Sequence, residues 1–178
     1  RYALVVEALQ KTDHSLQVPI KAVELAADEK TEMSAALDGK IYWLSARRRN
    51  YLILRLDSFL TDGAATYDPS ILTIEHVLPQ TIDANSEWAQ TWPDSTERDS
   101  WVHRIANLVP LTQKRNSQAQ NYDFDRKKSA YFGGKQGVSS YALTTQVLKT
   151  PAWSPDVVKS RQVELLSVLA DKWDLEIL

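Results

Sequence analysis

A chain of 178 residues, 43% hydrophobic and 25% charged, is long enough to bury one good core, and a single domain over 1–178 is the expected organisation. With no cysteine and only three histidines (His14, His76 and His103), a disulfide framework, a thiolate metal site and a zinc cage made of histidine alone are excluded. The net charge of −2 is unevenly spread: residues 71–100 carry six acids against Arg98, whereas 101–135 carry seven Lys or Arg against Asp123 and Asp125, so a basic segment follows an acidic one.

Apolar residues return at helical spacing over Tyr2–Leu9 and Pro19–Asp28, which predicts two short helices, with Pro19 suited to a first turn. No apolar run reaches the length of a membrane span, and the opening Arg1-Tyr2, with neither an initiator Met nor a signal pattern, is expected of a piece cut from a longer protein. Absence of cysteine fits a reducing cytoplasm. Tyr42–Leu60 predicts a stronger helix, with a broad apolar face from Leu44 to Leu60 and a basic cluster at Arg47, Arg48 and Arg49 that is either a solvated surface or a phosphate contact. Asp62-Gly63 and Asp68-Pro69-Ser70 punctuate a loop.

The stretch Ile71–Gln80, ILTIEHVLPQ, has the β-branched and aliphatic residues of a short buried strand with Glu75-His76 in its middle. Helices are expected over Glu87–Trp92 and Thr96–Ile105, the second capped by Ser95 or Thr96. Asn107–Thr112, NLVPLT, is a second short apolar run whose Pro110 suits an edge or distorted strand. After the polar, basic segment Gln113–Asn121 come a helix over Asp123–Phe132, stopped by Gly133-Gly134, and a last helix started by Ser154-Pro155 with a wide apolar stripe from Val157 to Trp173.

The chemistry concentrates at Glu75-His76. A neutral imidazole can take a proton from water near neutral pH, and a carboxylate is a hard oxygen ligand for Mg²⁺ or a similar cation. Neighbours on a regular strand point to opposite faces, so the two share one metal only if the backbone turns or bulges there. Hydrolysis of a phosphodiester asks for a base and a cation, with Asn107, Asn116, Asn121 and Asp123 as candidates for the remaining oxygen ligands.

Three separated motifs, IEHVLPQ (74–80), HRIANLVPLTQKRNS (103–117) and YDFDRKKSAYF (122–132), preceded by RRRNYLILRLDSFL (47–60), resemble the C-terminal HNH nuclease domain of GmrSD-type modification-dependent restriction enzymes, a group that includes the phosphorothioate-linked SspE proteins. The resemblance implies a mostly α-helical fold with a small β-hairpin, in which an HNH (ββα-metal, His-Me finger) core is embedded in a helical domain. On that plan N-terminal helices occupy 1–60, the ββα-metal core 70–121 with a helical insertion at 85–105, and C-terminal helices 122–178. It implies a metal-dependent DNA endonuclease or nickase serving restriction or antiphage defence, regulated by a preceding NTP-binding domain. His76 is then the general base, and Asn107 braces the loop that holds it. Glu75 and Asn116 hold a single Mg²⁺ or Mn²⁺. Lys114, Arg115, Arg126, Lys127 and Lys128 then hold DNA phosphates, which gives salt-sensitive affinity without sequence choice. His103 is expected to be structural or at the groove edge. Two positions depart from the family pattern: Ala106 stands where many relatives have Gly, and Glu75 where many HNH proteins have Asp or His. The rival readings are a catalytically weak DNA-binding module of the same fold and a structural helical interaction domain.

Overall fold

The computed structural model describes residue 6 and residues 24–61, 72–112, 121–132 and 141–176. The expected helix over Tyr2–Leu9, most of that over Pro19–Asp28, and the segment bearing Lys114, Arg115 and Asn116 lie outside the described residues. No described helix is long and apolar enough to cross a membrane.

Seven helices and two strands are described: α1 (Ala27–Leu37), α2 (Ala46–Leu60), β1 (Leu72–His76), α3 (Glu87–Thr91), α4 (Ser95–Trp101), β2 (Leu108–Thr112), α5 (Phe124–Phe132), α6 (Ala142–Lys149) and α7 (Pro155–Trp173). Short 3₁₀ turns at Ile41–Trp43 and Ile105–Asn107 introduce α2 and β2. The fold is thus mostly helical around one two-stranded antiparallel sheet, in unbroken register from Leu72 opposite Thr112 to His76 opposite Leu108.

Local chemistry sets several boundaries. The helix expected over Tyr42–Leu60 is interrupted: Leu44 is extended, and Ser45 caps a fresh start by accepting from the Arg48 N–H. The helix expected over Thr96–Ile105 starts one residue earlier and stops at Trp101, because Asp94, not Ser95 or Thr96, is the cap; its Oδ1 accepts from the backbone of Thr96 at 2.8 Å and Glu97 at 3.3 Å. Ser154 caps α7 as expected, with Pro155 in the first turn.

The core gathers around β2. Leu108, Val109 and Leu111 are wholly buried, together with Ile53 and Leu56 of α2, Leu143 and Val147 of α6, and Val158 and Leu169 of α7. Pro110 sits opposite Ile74 in this two-stranded sheet, and its carbonyl accepts from Thr144 Oγ1 of α6 at 2.6 Å, so α6 occupies the side where a third strand would lie. The polar groups of Ala106 are both taken by neighbouring side chains of α7: its N–H donates to Gln162 Oε1 at 3.0 Å, and its carbonyl accepts from Arg161 Nε at 3.1 Å. Asp174 is the only described non-glycine residue with positive φ. Ala106 therefore has no need of the glycine that many relatives carry.

Candidate active site at the end of strand β1

His76 ends β1, is 5% exposed, and lies under an aromatic wall. The Tyr42 ring meets it edge-on with centroids 4.2 Å apart, and His103 does so at 5.2 Å. Both ring nitrogens have neighbours. Nε2 is 3.2 Å from His103 Nδ1, and Nδ1 is 3.4 Å from the Gln80 side-chain nitrogen. With the Gln80 amide donating to Nδ1, the single proton of a neutral His76 resides on Nε2 and is donated to His103. Burial, followed by the neighbouring charges of His103, Lys127 and Arg49, pushes the His76 pKa from 6.5 down to about 3.

The loop after His76 is held by one side chain. Asn107 is wholly buried; its amide nitrogen donates to Leu78 O and Val102 O, each at 2.9 Å, while its Oδ1 accepts from Leu78 N at 2.7 Å and Trp153 Nε1 at 3.0 Å. Val77 N adds a backbone bond to Asn107 O at 3.0 Å. Both donors and both acceptor lone pairs of the amide side chain are thereby committed.

Glu75 occupies different surroundings. The unbroken register means that β1 has no bulge, so Glu75 and His76 project from opposite faces. Glu75 faces α5, where Lys127 Nζ donates to Glu75 Oε1 at 2.6 Å and to the backbone carbonyl of His76 at 2.6 Å. Lys127 is 1% exposed. Burial pushes the Glu75 carboxyl up and the Lys127 ammonium down, each opposed by the other's charge across the contact.

Lys127 is therefore corrected from a surface phosphate contact to a buried counter-ion for the strand that carries His76. Lys128 is also occupied, paired with Asp125 at 2.8 Å and lying over the Phe124 ring. Arg126 is exposed, with its guanidinium 3.5 Å from the Tyr122 ring centroid. Consecutive helical residues diverge by about 100°, so the three cations of α5 do not make one basic face. Lys114 and Arg115 lie outside the described residues.

The expected metal set is not completed here. Among the described residues no three His, Asp or Glu side chains come together, Glu75 has one oxygen on Lys127, and both His76 nitrogens have neighbours. These residues do not fit a divalent cation by themselves, and Asn116 lies outside them.

Sequence reasoning missed the direct contact between His103 and His76, as well as the parts played by Tyr42 and Gln80. Signals were present: Gln80 closes the same short motif as His76, and His103 stands four residues before Asn107. The Tyr42 N–H donates to His103 O at 3.1 Å, which joins two segments 61 residues apart and has no local signature.

No curated protein matches the chain. The family model of the GmrSD restriction endonucleases, C-terminal domain, matches residues 27–168, a span that takes in both strands, His76, His103, Asn107 and Lys127. The chain belongs to this family of restriction-endonuclease C-terminal domains.

Proposed function

We propose that the chain is an HNH-type endonuclease domain that hydrolyses DNA phosphodiester bonds, with β1, β2 and the segment after them as the HNH core. The observation that supports it best is the state of His76: buried, neutral, fixed from one side by His103, and set at the end of β1 just before the loop that Asn107 braces. His76 is the base. A water that displaces the 3.4 Å Gln80 contact gives its proton to Nδ1, while the Nε2 proton remains shared with His103. Asn107 is a positioning residue.

A base with a pKa of about 3 is too weak to deprotonate water at neutral pH. Part of that depression comes from the positive neighbours Lys127 and Arg49, and a bound phosphodiester anion beside the imidazole offsets it. Substrate thus raises the basicity of the imidazole that deprotonates the attacking water. The domain then serves a modification-dependent restriction or antiphage defence protein whose preceding NTP-binding domain selects the target.

The test is conversion of supercoiled plasmid to open circle by the chain with Mg²⁺ or Mn²⁺ over a salt series. His76→Ala is expected to abolish nicking while remaining folded; equal rates for wild type and His76→Ala would remove His76 from the chemistry. Asn116→Ala in the same assay tests the expected second ligand. Activity that survives EDTA would agree with the arrangement of donors at Glu75. Activity lost in EDTA and restored by either ion would mean that Glu75 exchanges Lys127 for the ion or that residues outside the described ones hold it. The second reading, a DNA-binding module that does not cut, is favoured by the Glu75–Lys127 contact; it predicts DNA binding that survives His76→Ala and a wild type that never nicks.

A further inference from the structure

Five of the six tryptophans are engaged in packing: Trp88, Trp92 and Trp153 are buried, and Trp101 and Trp173 pack against the core. Trp43 is not. At 69% it is the most exposed large hydrophobic residue among those described, and it stands beside the His76 site. Its ring centroid is 5.3 Å from that of His103, which is 5.2 Å from that of His76. At ~3.4 Å per stacked nucleotide, about three steps of a strand cover that path.

The backbone that displays Trp43 is fixed. Ile41 is buried beneath the turn, Trp43 N donates to Lys40 O at 3.1 Å, Leu44 N donates to Ile41 O at 3.1 Å, and Arg49 Nη1 donates to Tyr42 O at 2.9 Å. An aromatic ring on a rigid turn loses little freedom when something stacks on it. The surroundings are cationic: Lys40 Nζ lies 4.8 Å from the Trp43 ring centroid, and Arg47 and Arg48 are exposed on the first turn of α2. An apolar flat face edged by positive charge next to a hydrolytic histidine matches the two parts of a nucleotide, a base and a phosphate.

We infer that Trp43 is a stacking platform for an unpaired base of the DNA strand whose phosphate lies at His76, and that the domain accordingly prefers DNA with a locally unstacked base. This rests on the nuclease reading above and adds to it how the strand is held and which DNA is favoured. Stacking on one aromatic contributes on the order of tenfold or more in affinity.

The experiment uses the 178-residue chain in a His76→Ala background, so that binding is measured without cleavage, and a duplex carrying 2-aminopurine either opposite an abasic site or fully paired. Quenching of 2-aminopurine on binding to the abasic duplex is expected, with tighter binding to it than to the paired duplex. Trp43→Leu should lose both the quench and that preference, with about tenfold weaker binding to the abasic duplex, whereas Trp43→Phe should retain most of each. If Trp43→Leu binds and quenches like its parent while wild type nicks plasmid, the platform is overturned and the nuclease reading stands. A lower melting temperature for Trp43→Leu with unchanged DNA binding would identify the ring as a packing residue and overturn it equally. If neither protein binds DNA at any salt, both readings fail.

Discussion

His76 has its folded-state pKa pushed from 6.5 to about 3, so the fold holds the neutral form. The stability this adds is fully present above pH 6.5 and is lost as pH falls toward 3, at about 1.4 kcal/mol per unit. Urea unfolding midpoints from pH 7 to pH 4 are expected to fall along that slope in the wild type and more shallowly in His76→Gln, which cannot take a charge; parallel profiles would mean that His76 is not held neutral. A second residue-scale prediction concerns Lys127. Were it a phosphate contact, Lys127→Met would weaken DNA binding and leave stability unchanged. Buried against Glu75, it should instead cost ~3–5 kcal/mol, because a carboxylate is left without its counter-charge. Lys127→Met combined with Glu75→Gln should recover much of the loss, and additive costs in the double-mutant cycle would refute the pairing. Asn107→Ala leaves up to four buried partners unmet and is expected to cost at least ~3 kcal/mol in the same unfolding assay, with no change in how DNA binding responds to salt.

Among the elements, α2 places Arg47, Arg48 and Arg49 in its first turn with no acid beside them, against the preference of a helix N-terminus for negative charge. Arg49 is engaged with Tyr42, but Arg47 and Arg48 face solvent. Replacing both by Glu is expected to raise stability by roughly 1 kcal/mol at low salt and to weaken DNA binding on the order of tenfold; a variant that gained stability and kept its affinity would confine the cluster to a solvated surface. Elements with local signals were legible in the sequence: β1 and β2 from short β-branched and aliphatic runs, α5 from its spacing, α7 from Ser154-Pro155 and its stripe. The misses share a physical cause. Helix α6 carries Leu143, Val147 and Leu148 among polar residues, and the N-terminal amide of Leu143 finds its acceptor 86 residues away, in Asp57 Oδ1 of α2 at 2.8 Å. A cap supplied by the tertiary fold has no trace in the local sequence. The same holds at the site, where His76 stood out as a residue type and Asn107 through the family resemblance, whereas Lys127 read as one of five phosphate-contacting cations because its partner lies 52 residues earlier.

At the scale of the whole molecule, Ile105, Ala106 and Asn107 are wholly buried and gripped by α7 through Gln162 and Arg161, whereas α1 buries only Ser34 and Leu37 and is tied to residues 174 and 176 by Lys30–Asp174 and by Ser34 Oγ donating to Glu176 O. Native-state hydrogen exchange should therefore find the amides of Ala106, Asn107 and Val77 opening only with global unfolding, and those of α1 opening several kcal/mol sooner; equal protection would contradict this ordering. The grip on Ala106 has a mechanical consequence. An apolar stripe alone resists rotation of a helix better than sliding along its own axis. Gln162 and Arg161, diverging by about 100° around α7, hold the two ends of one residue's peptide polarity and so fix both motions at a single point. The residue so clamped is the chain neighbour of Asn107, whose side chain braces the loop after His76.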